Sequence, residues 1–198
     1  MGKAKRKSKQ TTLVIPLILI DPLDALQHLI EQFENKGVIV GGIAASLLGK
    51  PRLTVDLDAV ILLDIDDLPK LIKLASKQGM SARISDAEAF ARKNRVLLLR
   101  HNSSGINIDI SLGILPFESE MVERGQDIKL SNLHVRLPTP EDLIIMKAVA
   151  HRPKDFEDIK AVIAGHPDLD KQRIQKWLEQ FGEALESPSL WSDIEELL

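Results

Sequence analysis

Two aspartates one residue apart inside an apolar run constrain this chain more than any other feature. The run is Thr54-Val55-Asp56-Leu57-Asp58-Ala59-Val60, continuing to Leu63. Its apolar and β-branched residues predict a strand over 54–63. Successive side chains on a strand point to opposite faces, so Asp56 and Asp58 share one face while Val55, Leu57 and Ala59 take the core face. Strands disfavour aspartate, and two carboxylates this close repel and raise each other's pKa. A divalent cation that prefers oxygen ligands, Mg²⁺ or Mn²⁺, removes that conflict.

The pattern recurs at Ile106-Asn107-Ile108-Asp109-Ile110-Ser111-Leu112. Isoleucines alternate with polar residues, which predicts a second strand with Asp109 on its polar face. Placed beside the first strand, Asp109 joins the pair. Three carboxylates at one position of a sheet can hold two metal ions for an in-line phosphoryl displacement. Upstream, Gly41-Gly42 follows the apolar run Val38-Ile39-Val40 and precedes a short helical stretch, Ile43 to Leu48. Glycines there let backbone N–H groups approach a phosphate at a helix N-terminus. An ordinary tight turn is the alternative reading of the pair.

The remaining punctuation sets the fold class. Asp21-Pro22 with Asp24 predicts a helix start, with Leu26, Leu29, Ile30 and Phe33 inward and Gly37 at its end. A helix is predicted from about residue 66 to 78 before Gly79, and Ser85 with Glu88 reads as a capping box for another. Arg95–Arg100 and Ile106–Leu112, joined by Asn102-Ser103-Ser104-Gly105, predict a hairpin. Leu133–Leu137 predicts one more strand. Thr139-Pro140-Glu141-Asp142 predicts a capped helix, Pro153 a break and a second helix to Ala164. Ile174, Trp177, Leu178 and Phe181 mark the apolar stripe of a last helix. The order predicts an α/β (α+β) fold: a mixed sheet flanked by helices over 13–137, then a C-terminal helical segment over 138–198.

Composition narrows the setting. The chain has no cysteine, which excludes disulfides and thiolate zinc sites and makes the cytoplasm the expected location. Aromatics are 4% of the residues, so Leu, Ile, Val and Ala must build the core. The apolar run Leu13 to Ile20 is interrupted by Pro16 and is far short of the roughly 20 residues that span a bilayer, so no membrane partner is expected. Residues 1–12 are expected to be a basic, disordered tail. They hold Lys3, Lys5, Arg6, Lys7 and Lys9 and no acid, on a chain of net charge −3. Such a tail could add phosphate contacts to a nucleic acid.

In order, Val40-Gly41-Gly42, thirteen residues, Asp56-Leu57-Asp58 and then Asp109 resemble the signature of the polymerase-β-like nucleotidyltransferase superfamily. Gly42-Ile43-Ala44 with Arg52-Leu53-Thr54-Val55-Asp56-Leu57-Asp58 looks like the branch of AbiEii-type toxin nucleotidyltransferases and their prokaryotic relatives. That branch also carries a helical Lys, then a basic residue, Lys/Arg-Asp and another Asp. Here these read Lys147, then Ala150-His151-Arg152-Pro153-Lys154-Asp155, then Asp158. The resemblance covers residues 38 to about 164. It implies transfer of a nucleotidyl group from an NTP such as ATP to a hydroxyl of RNA, protein or a small molecule, with release of pyrophosphate. It implies two Mg²⁺ (or Mn²⁺) ions on Asp56, Asp58 and Asp109, and NTP phosphates at Gly41, Gly42, Arg52 and Lys147. Asp155 and Asp158 would orient Lys147 or lie near the nucleotide. A toxin–antitoxin or defence role is implied too, with a cognate antitoxin or regulatory protein as partner. The alternative is a nucleotide-sensing or partner-binding module of the same fold without turnover. The chain has Gly42 where other members have serine, and no tyrosine, so the preferred base is left open.

Overall fold

Strands β1 (Gly37–Val40), β2 (Asp56–Leu62), β3 (Met80–Ala82), β4 (Val96–His101) and β5 (Asn107–Gly113) form one sheet in the order β1-β2-β5-β4-β3. The structure is a computed structural model and describes residues 15–130 and 133–198; the basic stretch expected over 1–12 lies outside them. The central pair, β2 and β5, is parallel and the other three pairings are antiparallel. Alternation explains which face is buried. Register aligns Ile39, Ala59, Ile110 and Leu97 in one row, and Leu57, Ile108 and Leu99 in the next. All seven are within 1% of complete burial. Burying such an aliphatic side chain stabilises the fold by roughly 1.5–3 kcal/mol, so register and core specify each other.

Helices α1 (Leu17–Glu31), α2 (Gly41–Leu48), α3 (Leu68–Lys77), α4 (Ala87–Asn94) and α5 (Pro116–Glu123) separate the strands, except that β4 leads directly into β5. A separate hairpin, β6 (Gln126–Leu130) with β7 (Leu133–Leu137), leads into α6 (Pro140–Ala150), α7 (Pro153–Gly165), α8 (Lys171–Ala184) and α9 (Ser192–Glu195). The Thr139 hydroxyl accepts from the N–H of Asp142 at 3.3 Å, the expected cap of α6. The mixed sheet flanked by helices is the fold class the sequence predicts.

Local departures have physical reasons. The first helix begins at Leu17, not at Asp21, because Pro16 supplies the helix-starting carbonyl, to Leu19 N–H at 2.9 Å, and Pro22 lies inside. The ladder begins at Asp56, so Val55 is 69% exposed rather than inward. The cap position of α4 is Asp86 rather than Ser85, and Glu88 bonds Arg92 along the helix at 3.0 Å. Strands β3 and β6 and helices α5 and α9 go beyond the elements that the sequence predicts.

Candidate active site

Across β2 and β5, Asp58 stands beside Asp109 and Asp56 beside Asn107. Val40 lies opposite Asp58 on the other side, so the chain turns from β1 into α2 against that carboxylate. Gly41 and Gly42 open α2 itself rather than a turn before it. Gly41 has φ +64, and a Cβ added there would lie 1.9 Å from Asp58 Oδ2. Glycine is therefore required twice, for its left-handed backbone and for the volume that the carboxylate occupies. A Cβ on Gly42 would lie 2.6 Å from Thr54 Oγ1 and 3.3 Å from Arg52 Nη2. The glycine pair, the aspartate pair and Arg52 thus form one contiguous surface.

Burial first, then the charges of Asp56 and Asp109, push the Asp58 carboxyl above its ordinary pKa; Arg152 and then Lys147 oppose them. Asp56 is exposed and accepts from Thr54 Oγ1 at 3.2 Å. Asp109 accepts from Arg83 Nη2. Among the described residues no three Asp, Glu, His or Cys side chains converge on one point. The two outer carboxylates each have a partner of their own, Thr54 for Asp56 and Arg83 for Asp109.

A chain of ion pairs runs beside this centre. Arg52 donates to Asp158 through Nε at 2.8 Å and Nη2 at 3.1 Å. Lys147 Nζ donates to Asp158 Oδ2 at 2.6 Å and to Asp155 Oδ1 at 3.0 Å. Arg152 grips Asp155 through Nε at 2.5 Å and Nη2 at 3.1 Å. Burial works to raise Asp155, but the bonds from Arg152 and Lys147 outweigh it and hold that carboxyl below its usual range. The ends of the chain lie against Gly42, through Arg52, and within the field of Asp58, through Arg152. Lys147 is the hub, with a side chain only 5% exposed, whereas that of Arg152 is 56% exposed. The accessible cation here is therefore Arg152, to which the sequence alone assigns no role. Its signal was its place three residues before Asp155. Arg83 carried no signal, because it follows a strand that was not foreseen. A cavity of about 420 Å³ lined by Phe33, Lys36, Asp64 and Lys70 opens beyond Leu62, at the other end of β2, and shares no residue with this centre.

Sheet order, the glycine pair that opens α2 and the aspartate register define a nucleotidyltransferase fold. The chain belongs to the family described as nucleotidyltransferase of unknown function (DUF6036), which matches residues 19–174. Among solved structures it is similar to an antigenic nucleotidyltransferase-like protein from Paracoccidioides brasiliensis. That likeness has a TM-score of 0.51 and 17% identity over 88% of this chain and 90% of the other. It also matches the lincosamide antibiotic adenylyltransferase LnuA, solved with lincomycin bound, at a TM-score of 0.46 and 16% identity over 70% of this chain and 94% of the other. At 17% identity the first likeness is one of fold alone. No curated protein matches the sequence. Among the described residues no helix is long and apolar enough to cross a membrane.

Proposed function

We propose that this protein transfers a nucleotidyl group from an NTP to an acceptor hydroxyl and releases pyrophosphate. The observation that carries this reading is the register of Asp58 beside Asp109, with the Asp58 carboxylate seated in the space that Gly41 leaves. The donor chemistry suits a hard cation: three carboxylates on one face, no sulfur, and at Asp58 an ionisation that burial and like charges oppose; the three converge on an ion only once Asp109 exchanges Arg83 for it. Two Mg²⁺ or Mn²⁺ ions held by Asp56, Asp58 and Asp109 would supply positive charge to the reacting phosphate and the acceptor oxygen.

The chain's own groups divide the remaining work. The first N–H groups of α2, at Gly41 and Gly42, face the leaving phosphates. Arg152 and Arg52 contribute guanidinium donors to them, while Lys147, Asp155 and Asp158 fix both guanidiniums in place. Asp109 accepts the proton of the acceptor hydroxyl. The acceptor oxygen bonds to the α-phosphorus as the bond to pyrophosphate breaks. A toxin–antitoxin or defence role, with a cognate antitoxin or other regulatory partner, rests on the run from Arg52 to Asp58 and on the Lys147, Asp155 and Asp158 pattern. The absence of cysteine supports a cytoplasmic setting. One observation favours a second reading, nucleotide sensing without turnover: Arg83 already engages Asp109.

The test incubates the full chain with each α-labelled NTP, Mg²⁺, and pools of total RNA or protein. Label transfer and pyrophosphate release are expected, with both lost in a folded Asp56→Asn protein, since a neutral amide is a poor ligand for a hard cation. NTP binding with no transfer to any pool would favour the sensing module. An Asp56→Asn protein that transfers at a near-wild-type rate would end the metal-site reading.

A further inference from the structure

The sheet face that carries the carboxylates continues past them. Register aligns Asp58, Asp109 and Leu98 across β2, β5 and β4, and Arg83 extends the row, its N–H donating to Leu98 O at 3.0 Å. The adjacent row is Asp56, Asn107, Arg100 and Ser81. In-register neighbours share a face, so Arg83 and Arg100 stand on the side of the aspartates, towards β3. Arg100, Ser81 and Asp56 are exposed, and Arg83, Leu98 and Asp109 are half-buried, so this face is open. The groups assigned to the NTP come from the opposite flank: α2, the loop after it and the start of α7.

Both arginines have donors to spare. Arg83 Nη2 engages Asp109, while its buried Nε has no partner among the described residues. Arg100 gives only Nε, to Asn107 Oδ1 at 3.2 Å. Among the described residues, only Arg95 and Arg100 of the arginines meet no carboxylate, and Arg95 is engaged with the carbonyl of Leu112. When Asp109 turns to a cation, Arg83 is left with a half-buried guanidinium and no acceptor, which is costly unless an anion replaces the carboxylate. Rows on one strand face lie about 6.6 Å apart, a span that two arginine side chains can close around one phosphate.

We propose that this open face is the acceptor subsite, and that the acceptor carries a phosphate beside its reacting hydroxyl. Arg100 and Arg83 receive the phosphate oxygens, and the hydroxyl lies at Asp109. The inference rests on the nucleotidyl-transfer reading above. It is tested by equilibrium binding to the full chain with Mg²⁺ and a saturating non-hydrolysable ATP analogue, so that no turnover enters the readout. The probes are a short single-stranded RNA, ribose 5-phosphate, and ribose as the phosphate-free control. At least one phosphate-bearing probe should bind and ribose should not. Arg100→Ala should weaken that probe at least tenfold and Arg100→Lys less, with the ATP analogue bound equally by all three proteins. Arg83→Ala should weaken the probe as well, with a thermal melt as its fold control. RNA bound without ribose 5-phosphate makes the acceptor a nucleic acid; the reverse makes it a small phosphorylated compound. Binding of neither, equal binding of ribose, or full affinity in Arg100→Ala overturns the proposal. Failure of the ATP analogue to bind wild-type protein instead overturns the reading on which it rests.

Discussion

At Asp58, burial and the neighbouring carboxylates oppose ionisation more than Arg152 and Lys147 favour it. Below the ordinary carboxylate value both folded and unfolded chains hold the proton, and Asp58 contributes nothing to the pH dependence. As pH rises through the elevated folded value, the folded state gives up a proton it prefers to keep, and stability falls. Asp58→Asn removes that loss. In metal-free buffer near neutral pH the variant should melt above wild type, and the gain should vanish as pH falls towards about 4. Thermal melts across pH check this; a variant less stable at every pH would show that contacts to the carboxylate outweigh its repulsion. The three aspartates were legible because period-two alternation fixes which residues share a face, and a charge on an apolar strand needs a reason. Val55 was misjudged because alternation was carried past the end of the ladder. Arg83 was invisible, since it meets Asp109 across the intervening strand β4 and a sequence separation of 26.

The joint between α6 and α7 decides what Lys147 does. His151 ends α6 in a left-handed conformation at φ 50, and Pro153 starts α7, which swings Asp155 and Asp158 back onto the lysine. Nothing in the sequence separates a lysine that reaches a phosphate from one enclosed by carboxylates eight and eleven residues later; the angle between the two helices decides it. Its burial between two carboxylates gives Lys147 a structural load. Lys147→Met leaves Asp155 and Asp158 buried with guanidiniums alone, and should cost about 3–5 kcal/mol, the usual loss when one partner of a buried ion pair is removed. Denaturant unfolding measures it; an unchanged midpoint would show that Arg52 and Arg152 suffice. Helix α6 itself was legible from Thr139 and Pro140, whose capping chemistry is local. Strands β3 and β6 were not, because three residues at a sheet edge and the mixed run Gln126–Leu130 are strands by virtue of their partners.

Across the whole chain, α8 is fastened to the core by one arginine and a small aromatic group. Arg173 donates to Asp142 at 2.7 Å and to Glu120 at 2.6 Å, and Trp177 donates to the same glutamate at 3.3 Å. Phe117, Trp177 and Phe181 pack edge-on with centroids 5.2 and 5.5 Å apart. Asp142 is fully buried, and its other cation, Arg124, stands at 3.5 Å. Arg173→Met should therefore cost about 3–5 kcal/mol, read by urea unfolding with tryptophan fluorescence as the probe. A loss below about 1 kcal/mol would place the stability of α8 in its apolar stripe alone. The fold class and the succession of elements were legible from punctuation and period. The strand order β1-β2-β5-β4-β3 was not, because it depends on a crossover in which α3, β3, α4 and β4 intervene before β5 pairs parallel to β2.

The ion chain from Arg52 to Arg152 ties a loop in the first third of the sequence to a helix near its end. Its consequence is hereditary as much as mechanical. A neutral residue at 158 strands the cation at 52, and loss of the cation at 52 leaves a carboxylate at 158 with the lysine alone. Descendants of this chain can therefore drift at either position most freely by changing both. A recombination event that joins the aspartate strands of one lineage to the late helices of another would inherit the carboxylates intact and mismatch the cations beside them.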